Sequence, residues 1–421
     1  MKSRACFFIA LRYLLGRARE GGRYLRGAAI GIAVSLIPII VTLIVADGMI
    51  HGIIDRYLEL GTGHLQVFSF IDPQGLGVIP DTIRYTEGVR GVWAEQRSMG
   101  VLIGRDGRSG ASIRAMDPSF WEDPGSLQYL DVTAGTASIT ADRDMMLGEN
   151  LASSIGAQLG DTVRLMTIRV TADGRHIPRV TPFTITGIVS SGYHELDALW
   201  CIITHDAGRN ILSQELTSSS LIVKIDDPYR KTDDMFITLY GSLGGAYSVY
   251  TWKDLMRSQY SSYESTRQIL IFIMAMIVMV AAVNVSSATS MLALERQRDI
   301  AVLKVTGAGI KGISGIFLWG SFLTGLCGAF IGISLGLLLG ANINAIIRFL
   351  ENALSFISGL GGGESVTLLD PDFYLQAIPI IIDWFAVCLI GCFTILCSVI
   401  ASWIPARRAG KLKPMVLLRR N

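Results

Sequence analysis

The residues most able to do chemistry lie in the segment YHELDALW. His194, Glu195 and Asp197 are close together there, and His205 follows shortly after. Imidazole and carboxylate groups bind transition metals, so this segment is a candidate metal site. Their spacing does not match that of a zinc site, and a solvated turn before a strand explains the same residues. We therefore expect no metal at this segment.

Three other motifs are also missing from the sequence. The stretch GAGIKGIS has the glycine spacing of a phosphate-binding loop, but Ile313 stands where that motif requires a lysine. Neither an HExxH zinc motif nor a CxxC pair occurs. We therefore predict a chain without catalytic residues that binds no cofactor itself, so that any energy input comes from another protein.

A different pattern occupies LERQRDIAVLKVTGAGIKGI, residues 294–313. Written as a helix, this segment places Ile300 and Leu303 on one side and charged residues around the rest. Those charged residues are Arg296, Arg298, Asp299 and Lys304. Thr306 and Gly307 predict the end of the helix. Such a helix either lies in lipid headgroups or docks in a groove on a soluble partner, and the pattern alone leaves both open.

The apolar content of the sequence is typical of a membrane protein. Half of the 421 residues are hydrophobic and 17% are charged, against about 25% in soluble domains. A helix needs roughly 20 apolar residues to cross a bilayer, and four runs reach this length. They occupy residues 27–47, 269–294, 312–341 and 377–404. We predict a helical membrane protein with four transmembrane helices and a large α+β domain, residues 48–268, between the first two.

The distribution of charge predicts the orientation of these spans. Residues 1–26, 295–311 and 405–421 hold 17 of the 37 Lys and Arg residues but only three of the 35 Asp and Glu residues. Because Lys and Arg beside a span favour the cytoplasm, we expect both termini and residues 295–311 on that side. The domain at 48–268 and a loop at 342–376 then lie outside. The outer region is net acidic, which argues against binding of nucleic acid.

The outer region alternates strand and helix patterns. The segments ASIRAM, TVRLMTI, PFTITGIV, LWCIIT and SLIVKI have the β-branched content and the short length of strands. Between them, ENLASSIGAQLGD and DPYRKTDDMFITLYGSL predict helices. Cys201 is the one cysteine of this region, so the domain has no internal disulfide and is stabilised by its core.

Small residues and a proline mark the spans. Gly328, Gly332, Gly336 and Gly340 recur every four residues and therefore share one helix face, along which another helix can approach closely. The partner helix belongs either to this chain or to a second subunit. Pro38 interrupts the hydrogen bonding of the first span and predicts a kink, which either only curves the helix or opens a lateral gap for a lipidic ligand.

Three segments in order resemble the FtsX-like permeases, the MacB-type ABC transporter permeases. These segments are DMMLGENLASSIGAQLGDTVRL in the outer domain, ERQRDIAVLKVTGAGIKGI between the second and third spans, and ASWIPARRAGKLKPMVLLR at the end. Within the family, FFIALRYLLGRAREGG, GRHIPRVTPFTITGIVSSGYHELD and DPDFYLQAIPIIIDW resemble the lipoprotein-releasing LolC/LolE branch. One departure is Asp47-Gly48-Met49, where many members of this branch have Asn-Gly-Phe.

The resemblance implies a role for each region. It implies a cytoplasmic N-terminal segment (1–26), an outer domain with a porter-like part, an inserted second lobe and stalk helices, a cytoplasmic coupling helix (295–311) and a cytoplasmic tail (405–421). The residues it assigns to ATPase coupling are Glu295, Arg296, Arg298, Asp299, Ile300, Leu303, Lys304, Gly307 and Ala308. Gly174, Pro178 and Arg179 fall in the expected carrier-docking hook. Our hypothesis for the path of the lipoprotein acyl chains is the stretch from Pro38 to Met49, in and just after the first span.

The resemblance also implies partners and a location. It places the chain in the cell inner membrane, with its large domain periplasmic. The expected partners are a cytoplasmic LolD-like ATPase that holds ATP and Mg²⁺, a second permease subunit that is the same or a homologous chain, acylated lipoproteins, and a periplasmic LolA-like carrier. Two alternatives stay open: a MacB-like exporter of periplasmic substrates, and an FtsX-like regulator of a cell-wall hydrolase.

Overall fold

A computed structural model describes residues 3–15, 22–69, 81–171, 173–360 and 378–411. The chain divides into two compact units, which are treated separately below. The helical unit contains Met1–Met49, Ser262–Val366 and Ile378–Asn421. The sheet unit contains Ile50–Ser261 and Thr367–Ala377.

Fourteen α-helices lie in the described residues. They are α1 (Ser3–Leu15), α2 (Gly22–Arg56), α3 (Asp81–Arg84), α4 (Pro124–Tyr129), α5 (Glu149–Ser154), α6 (His194–Asp197), α7 (His205–Ile211), α8 (Thr232–Leu243), α9 (Trp252–Leu255), α10 (Arg257–Glu295), α11 (Gln297–Val305), α12 (Ile310–Ala341), α13 (Ile343–Leu360) and α14 (Trp384–Lys411). A π-helical segment, Tyr57–Thr62, continues α2.

Four of these helices are long and apolar enough to cross a membrane, in accordance with the predicted fold class. They are Arg23–Thr62, Arg257–Glu295, Ile310–Ala341 and Trp384–Lys411. A helix satisfies all its backbone hydrogen bonds internally, which a segment in hydrocarbon requires. Pro38 stands inside α2 without ending it, and its side chain lies on an exposed side of that helix.

The helical unit has two apolar cores. In one, Ile32, Leu36 and Ile40 of α2 pack with Val278 of α10 and Val387 of α14. The second core joins α1 and α11 to the spans, and its buried members include Ala10, Leu25, Ile300, Phe317 and Ala406. The short helices at the ends of the spans are therefore packed parts of this unit.

The first part of the segment that the sequence assigned to a loop, 342–376, is a helix. Residues Ile343–Leu360 form α13, and residues 361–377 lie outside the described part of the chain. The loop prediction was wrong for the helical part. The segment INAIIRFLENALSF has a helical period, in which apolar and polar residues occupy opposite sides.

In the part of the sheet unit that the structure describes, one mixed sheet contains ten strands. The strands are β1 (Leu65–Ser69), β2 (Val89–Ile103), β3 (Arg108–Met116), β4 (Asp131–Gly135), β5 (Asp144–Gly148), β6 (Thr162–Val170), β7 (His176–Ser190), β8 (Trp200–Thr204), β9 (Ser218–Ile225) and β10 (Tyr247–Thr251). Their order is β10-β1-β9-β2-β3-β8-β5-β7-β4, and β6 pairs with both β2 and β7. The pairs β3–β8 and β5–β7 are parallel, and the other pairs are antiparallel.

The five strand segments read from the sequence are confirmed as β3, β6, β7, β8 and β9. The 15-residue strand β2 was missed, because glycines and polar residues interrupt its apolar alternation. This strand contacts β3, β6 and β9 and therefore joins the two ends of the sheet. Separate apolar clusters line the sheet, one around Phe183 and Leu151 and another around Trp121 and Trp200.

Candidate functional site

The predicted cytoplasmic segment forms the nine-residue helix α11, which ends as the sequence predicted. Gly307 adopts a φ of +94°, the left-handed conformation that favours glycine. The backbone N–H of Ala308 then donates to the carbonyl of Leu303 at 2.8 Å, and that of Gly307 to Lys304 at 3.1 Å. These bonds satisfy carbonyls that the helix end would otherwise leave without donors.

The apolar residues of α11 face in two directions. Ile300 is 1% exposed and packs in the core of the helical unit, so it is not available to a partner protein. Leu303 is half-buried, whereas Val302 and Val305 are 60% and 71% exposed. The prediction that Ile300 belongs to the apolar side that contacts lipid or a partner was therefore wrong, because this side chain is buried within the chain. The periodicity identified an apolar side correctly but could not show that Ile300 would be buried in a core shared with residues of α1, α12 and α14.

The charged residues of this segment divide in the same way. The Arg296 guanidinium lies 3.0 Å from the Asp299 carboxylate and 5.2 Å from the centre of the Tyr13 ring in α1. Burial and the nearby Asp299 carboxylate raise the pKa of Tyr13 to about 12, so its hydroxyl stays neutral. Glu295 and Arg298 are exposed, and Lys304 is half-buried. The inward charges hold α11 against α1, and the outward ones border Val302 and Val305.

The four regularly spaced glycines of α12 lie against α2 of the same chain. A Cβ added at Gly332 would be 2.9 Å from both the Cα and the carbonyl oxygen of Ala33. Added Cβ atoms at Gly328, Gly336 and Gly340 would meet Ile32, Ile40 and Ile44 at 2.8, 2.7 and 2.5 Å. Glycine is therefore required by the close approach of the two helices. The helix that packs on this glycine face therefore belongs to the same chain and not to a second subunit.

Asp47 and Gly48, in the triplet that departs from the branch pattern at its first and third positions, lie where three spans meet. Asp47 is 3% exposed, and its carboxylate is 3.3 Å from the Arg267 guanidinium of α10, which also lies 3.3 Å from Asp383 before α14. A Cβ on Gly48 would be 2.0 Å from the Pro379 carbonyl oxygen. Met49 is half-buried beside this contact, whereas Pro38 is exposed. The structure does not bring these two candidate acyl-path residues together.

In the sheet unit, buried charged side chains hold the π-helical end of α2. Arg114 of β3 is 1% exposed and pairs with the equally buried Glu95 of β2 at 2.5 Å. Its guanidinium also donates to the carbonyl of Leu60, and to that of Gly61 at 3.0 Å. A π-helix end leaves such carbonyls without intrahelical donors, and Arg114 supplies them. The end of α2 is therefore fixed to the middle of the sheet.

A second buried cation contacts the same helix end. The Lys224 ammonium of β9 is 0% exposed and lies 3.1 Å from Glu59, 2.9 Å from Asp123 and 2.6 Å from the Ser126 hydroxyl. It also stands 4.5 Å from the centre of the Phe120 ring. Burial lowers the pKa of Lys224, and the two carboxylates oppose that shift. We call Glu95, Arg114 and Lys224 the buried clamp.

The sequence contains a signal for the two cations of the buried clamp. Arg114 lies in the strand segment ASIRAM and Lys224 in the strand segment SLIVKI. Each is the one charged residue of a segment that is otherwise mostly apolar. A charged residue in an otherwise buried strand indicates an ion pair in the core. The sequence does not predict which carboxylate pairs with each cation. Glu59 and Lys224, for example, are 165 positions apart in the sequence, and only the folded sheet brings them together.

The metal candidate has structural partners in the fold. Asp197 is 2% exposed and accepts hydrogen bonds from the Ser190 hydroxyl and the Ser191 N–H, both at 2.8 Å. Burial raises the pKa of Asp197, and these hydrogen bonds oppose the shift. His194 contacts Asn150, and His205 begins α7. Asp197 and His194 therefore organise the turn before β8, whereas His205 follows that strand.

The three hook candidates lie on the hairpin formed by β6 and β7. Gly174 has a φ of +73° in the turn, Pro178 pairs with Ile168, and Arg179 donates to the Asn210 carbonyl at 2.7 Å. The hairpin carries exposed apolar side chains, which are Ile168 (48%), Ile177 (48%) and Val180 (52%). An extended hairpin with exposed β-branched residues can bind a protein partner.

Comparison with known proteins matches two regions of the chain. Residues 27–233 match the MacB-like periplasmic core domain, and residues 271–414 match the FtsX-like permease C-terminal domain. The lipoprotein-releasing system transmembrane protein LolC of Neisseria meningitidis is 29% identical, and LolC of Xylella fastidiosa is 25% identical. The LolE protein of Haemophilus influenzae is 21% identical. Each alignment covers 98% of this chain and 98% of the relative.

Proposed function

Because the chain belongs to the FtsX-like, MacB-type ABC transporter permeases, we propose that it is a membrane subunit of a Lol-type lipoprotein-releasing complex. In this proposal the complex extracts acylated lipoproteins from the outer leaflet of the inner membrane and passes them to a periplasmic carrier. A cytoplasmic LolD-like ATPase holds ATP and Mg²⁺, and a second permease subunit completes the membrane part. The chain itself contributes no catalytic group.

The observation that carries the proposal is similarity to LolC and LolE proteins along the whole chain, in the helical and sheet regions alike. The chemistry of the cargo explains the need for an energy source. Each acyl CH₂ group contributes about 0.8 kcal/mol to membrane binding, so a protein with several acyl chains leaves the bilayer too slowly without work. An ATP-driven device that pulls on such a cargo meets this requirement.

The structure supports a mechanical route for that work. The buried side of α11 packs with α1 and the spans, so a push on α11 moves the helical core with it. Helix α2 runs without interruption from Gly22 to Arg56 and continues to Thr62. The buried clamp then fixes the end of α2 to β2, β3 and β9. In this proposal, ATPase movement reaches the sheet unit through α2 and needs no channel for the cargo.

Depletion and reconstitution test the proposed function. Depletion of the chain should leave outer-membrane lipoproteins in the inner membrane. Reconstituted with its ATPase, its second subunit and an acylated lipoprotein, the full chain should transfer the lipoprotein to a soluble carrier only when ATP is present. A non-acylated form of the same lipoprotein is the control. Normal lipoprotein sorting with altered export of soluble substrates would favour the MacB-like alternative, and altered wall hydrolysis the FtsX-like one.

We predict that charge on the exposed side of α11 uncouples the ATPase. In our proposal the exposed side of α11 docks in an apolar groove of the ATPase, and Val302→Asp and Val305→Asp each place a carboxylate there. Each variant should lower permease-dependent stimulation of the ATPase at least tenfold, which corresponds to about 1.4 kcal/mol of docking free energy. The measurement is ATP hydrolysis by the reconstituted complex. Ile237→Asp, at a 69% exposed apolar position of α8, is the matched control and should leave stimulation unchanged. Full stimulation in both α11 variants would refute this assignment.

We also predict that the β6–β7 hairpin contacts the carrier. Ile177→Asp puts a charge on its exposed apolar surface and should lower transfer to the carrier about tenfold, while ATP hydrolysis stays at the level of the unmodified chain. The readout is lipoprotein in the soluble fraction with carrier present, compared with the Ile237→Asp control. Equal transfer in both variants would exclude this hairpin as the docking surface and would fit a subunit without a carrier role.

A further inference from the structure

Helix α13 has a two-sided composition that the proposed function does not use. Its apolar side includes Ile346, Phe349, Leu350, Ala353 and Phe356. Its polar side includes Asn344, Arg348, Glu351 and Ser355. The apolar side chains are open to the surroundings: Phe349 and Phe356 are each 71% exposed, and Leu350 is 44% exposed. Two phenylalanines one heptad apart at this exposure form a continuous apolar ridge.

The polar side of α13 has a fixed partner. The Asn344 side chain donates to the carbonyl of Ile378 at 2.9 Å and accepts from the N–H of the same residue at 3.1 Å. Ile378 is 3% exposed and precedes α14. These two bonds set the rotation of α13 about its own axis. They direct the polar side toward the start of the last span and the phenylalanine ridge away from it.

The position of α13 in the chain decides what covers the ridge. Helix α12 ends at Ala341, and its 32 residues span about 48 Å, more than the roughly 30 Å of a hydrocarbon core. Its end therefore reaches the membrane surface, and only Asn342 separates it from α13. Arg348 and Glu351 in its middle make α13 unsuited to cross the bilayer itself. An amphipathic helix at that depth has lipid on its apolar side.

We propose that α13 is an interfacial helix that lies in the leaflet at the C-terminal end of α12, with Phe349 and Phe356 inserted among the acyl chains and Arg348 in the headgroups. This leaflet is on the opposite side of the bilayer from α11, because α12 separates the two helices. The inference concerns contact of the chain itself with lipid and holds whichever cargo the complex carries. Where the proposed function also holds, α13 lies in the leaflet from which the acyl chains are drawn.

Spin labels on the full chain in lipid nanodiscs test this placement. Single cysteines at Phe349, Phe356 and Arg348, and at Ile237 as a soluble-surface control, are introduced after the six native cysteines are replaced by serine or alanine. Collision rates with oxygen, which concentrates in lipid, and with a water-soluble nickel chelate report the depth of each label. For the labels at Phe349 and Phe356, the ratio of the oxygen collision rate to the nickel collision rate should be at least about threefold higher than for the label at Arg348. The label at 237 should favour the nickel chelate.

Two results would overturn the proposal. Nickel accessibility at 349 and 356 equal to that at 237 would place the ridge in water. Labels there that are immobile and shielded from both reagents would show a protein, such as a second copy of the chain, on the ridge. Should the cysteine-free chain not fold, Phe349→Trp and Phe356→Trp in the natural background replace the labels. Brominated lipid should then quench the added fluorescence, and unchanged fluorescence would equally overturn the proposal.

Discussion

Replacing Arg114 with methionine should lower the free energy of unfolding of the sheet unit by about 3–5 kcal/mol. The substitution leaves the Glu95 carboxylate, which is 2% exposed, without its closest cation, and it removes one donor each from the carbonyls of Leu60 and Gly61. Denaturant unfolding of the full chain in detergent, followed by tryptophan fluorescence, measures the loss. Arg108→Met, at an exposed position of the same strand, is the matched control and should cost less than about 0.5 kcal/mol.

The pH dependence of this loss has a definite sign. Burial alone would raise the pKa of Glu95, but the charges of Arg114 and Arg97 outweigh burial and lower that pKa. The stability that the ionised carboxylate contributes is therefore present above its unfolded pKa and is lost as the pH falls through the folded pKa. Without Arg114, only the charge of Arg97 opposes burial, so the pKa of Glu95 is higher in the variant and the variant loses less stability on acidification. The difference between the two proteins should shrink below about pH 4.

A second substitution separates the ion pair from the shape of the core. Glu95→Leu added to Arg114→Met removes the buried carboxylate, which would otherwise keep only Arg97 as its cation, and should recover part of the stability, as replacement of whole buried pairs often does. The double variant still lacks the Arg114 donor to the Leu60 carbonyl, and the Gly61 carbonyl keeps only its hydrogen bond from Arg97. In our proposal it should therefore fold and yet transfer less lipoprotein per ATP hydrolysed. A loss below about 1 kcal/mol for Arg114→Met would show that the buried clamp does not secure α2.

The double substitution Gly332→Ala/Gly336→Ala should destabilise the helical unit by about 3 kcal/mol. Each added methyl group would lie within 3.0 Å of α2, at 2.9 Å from backbone atoms of Ala33 and 2.7 Å from the Cβ of Ile40. Backbone atoms cannot rotate away as a flexible side chain can, so the two helices must separate and lose contact along the interface. Thermal unfolding of the purified chain in detergent is the measurement.

The same helix provides a matched control for this pair. Cβ atoms added at Gly315 and Gly320 would have their nearest neighbours at 3.6 and 3.8 Å, which is ordinary contact. Gly315→Ala/Gly320→Ala carries the same change in composition and helix propensity and should keep or slightly raise stability. If both double variants unfold at the same temperature, the α12–α2 contact does not depend on glycine.

Much of the architecture was determined by local sequence alone. Runs of about 20 apolar residues can meet their backbone hydrogen-bonding needs in lipid only as helices, which is why four spans were predictable. The left-handed conformation that ends α11 needs glycine, so Gly307 marked that end. The strands β3, β6, β7, β8 and β9 followed from short β-branched segments, whereas the interrupted pattern of β2 gave no comparable signal.

Tertiary structure decided which surfaces are covered and which charges meet. A helical period shows that Ile300 and Val302 lie on different sides of α11, but elements distant in sequence determine that Ile300 is the buried one. The glycine repeat of α12 required a close neighbour, and only the fold identified it as α2. The partners of Arg114 and Lys224 come from other strands and from the end of α2. Periodicity is a property of one element, whereas burial and pairing arise between elements, and only the folded chain contains them.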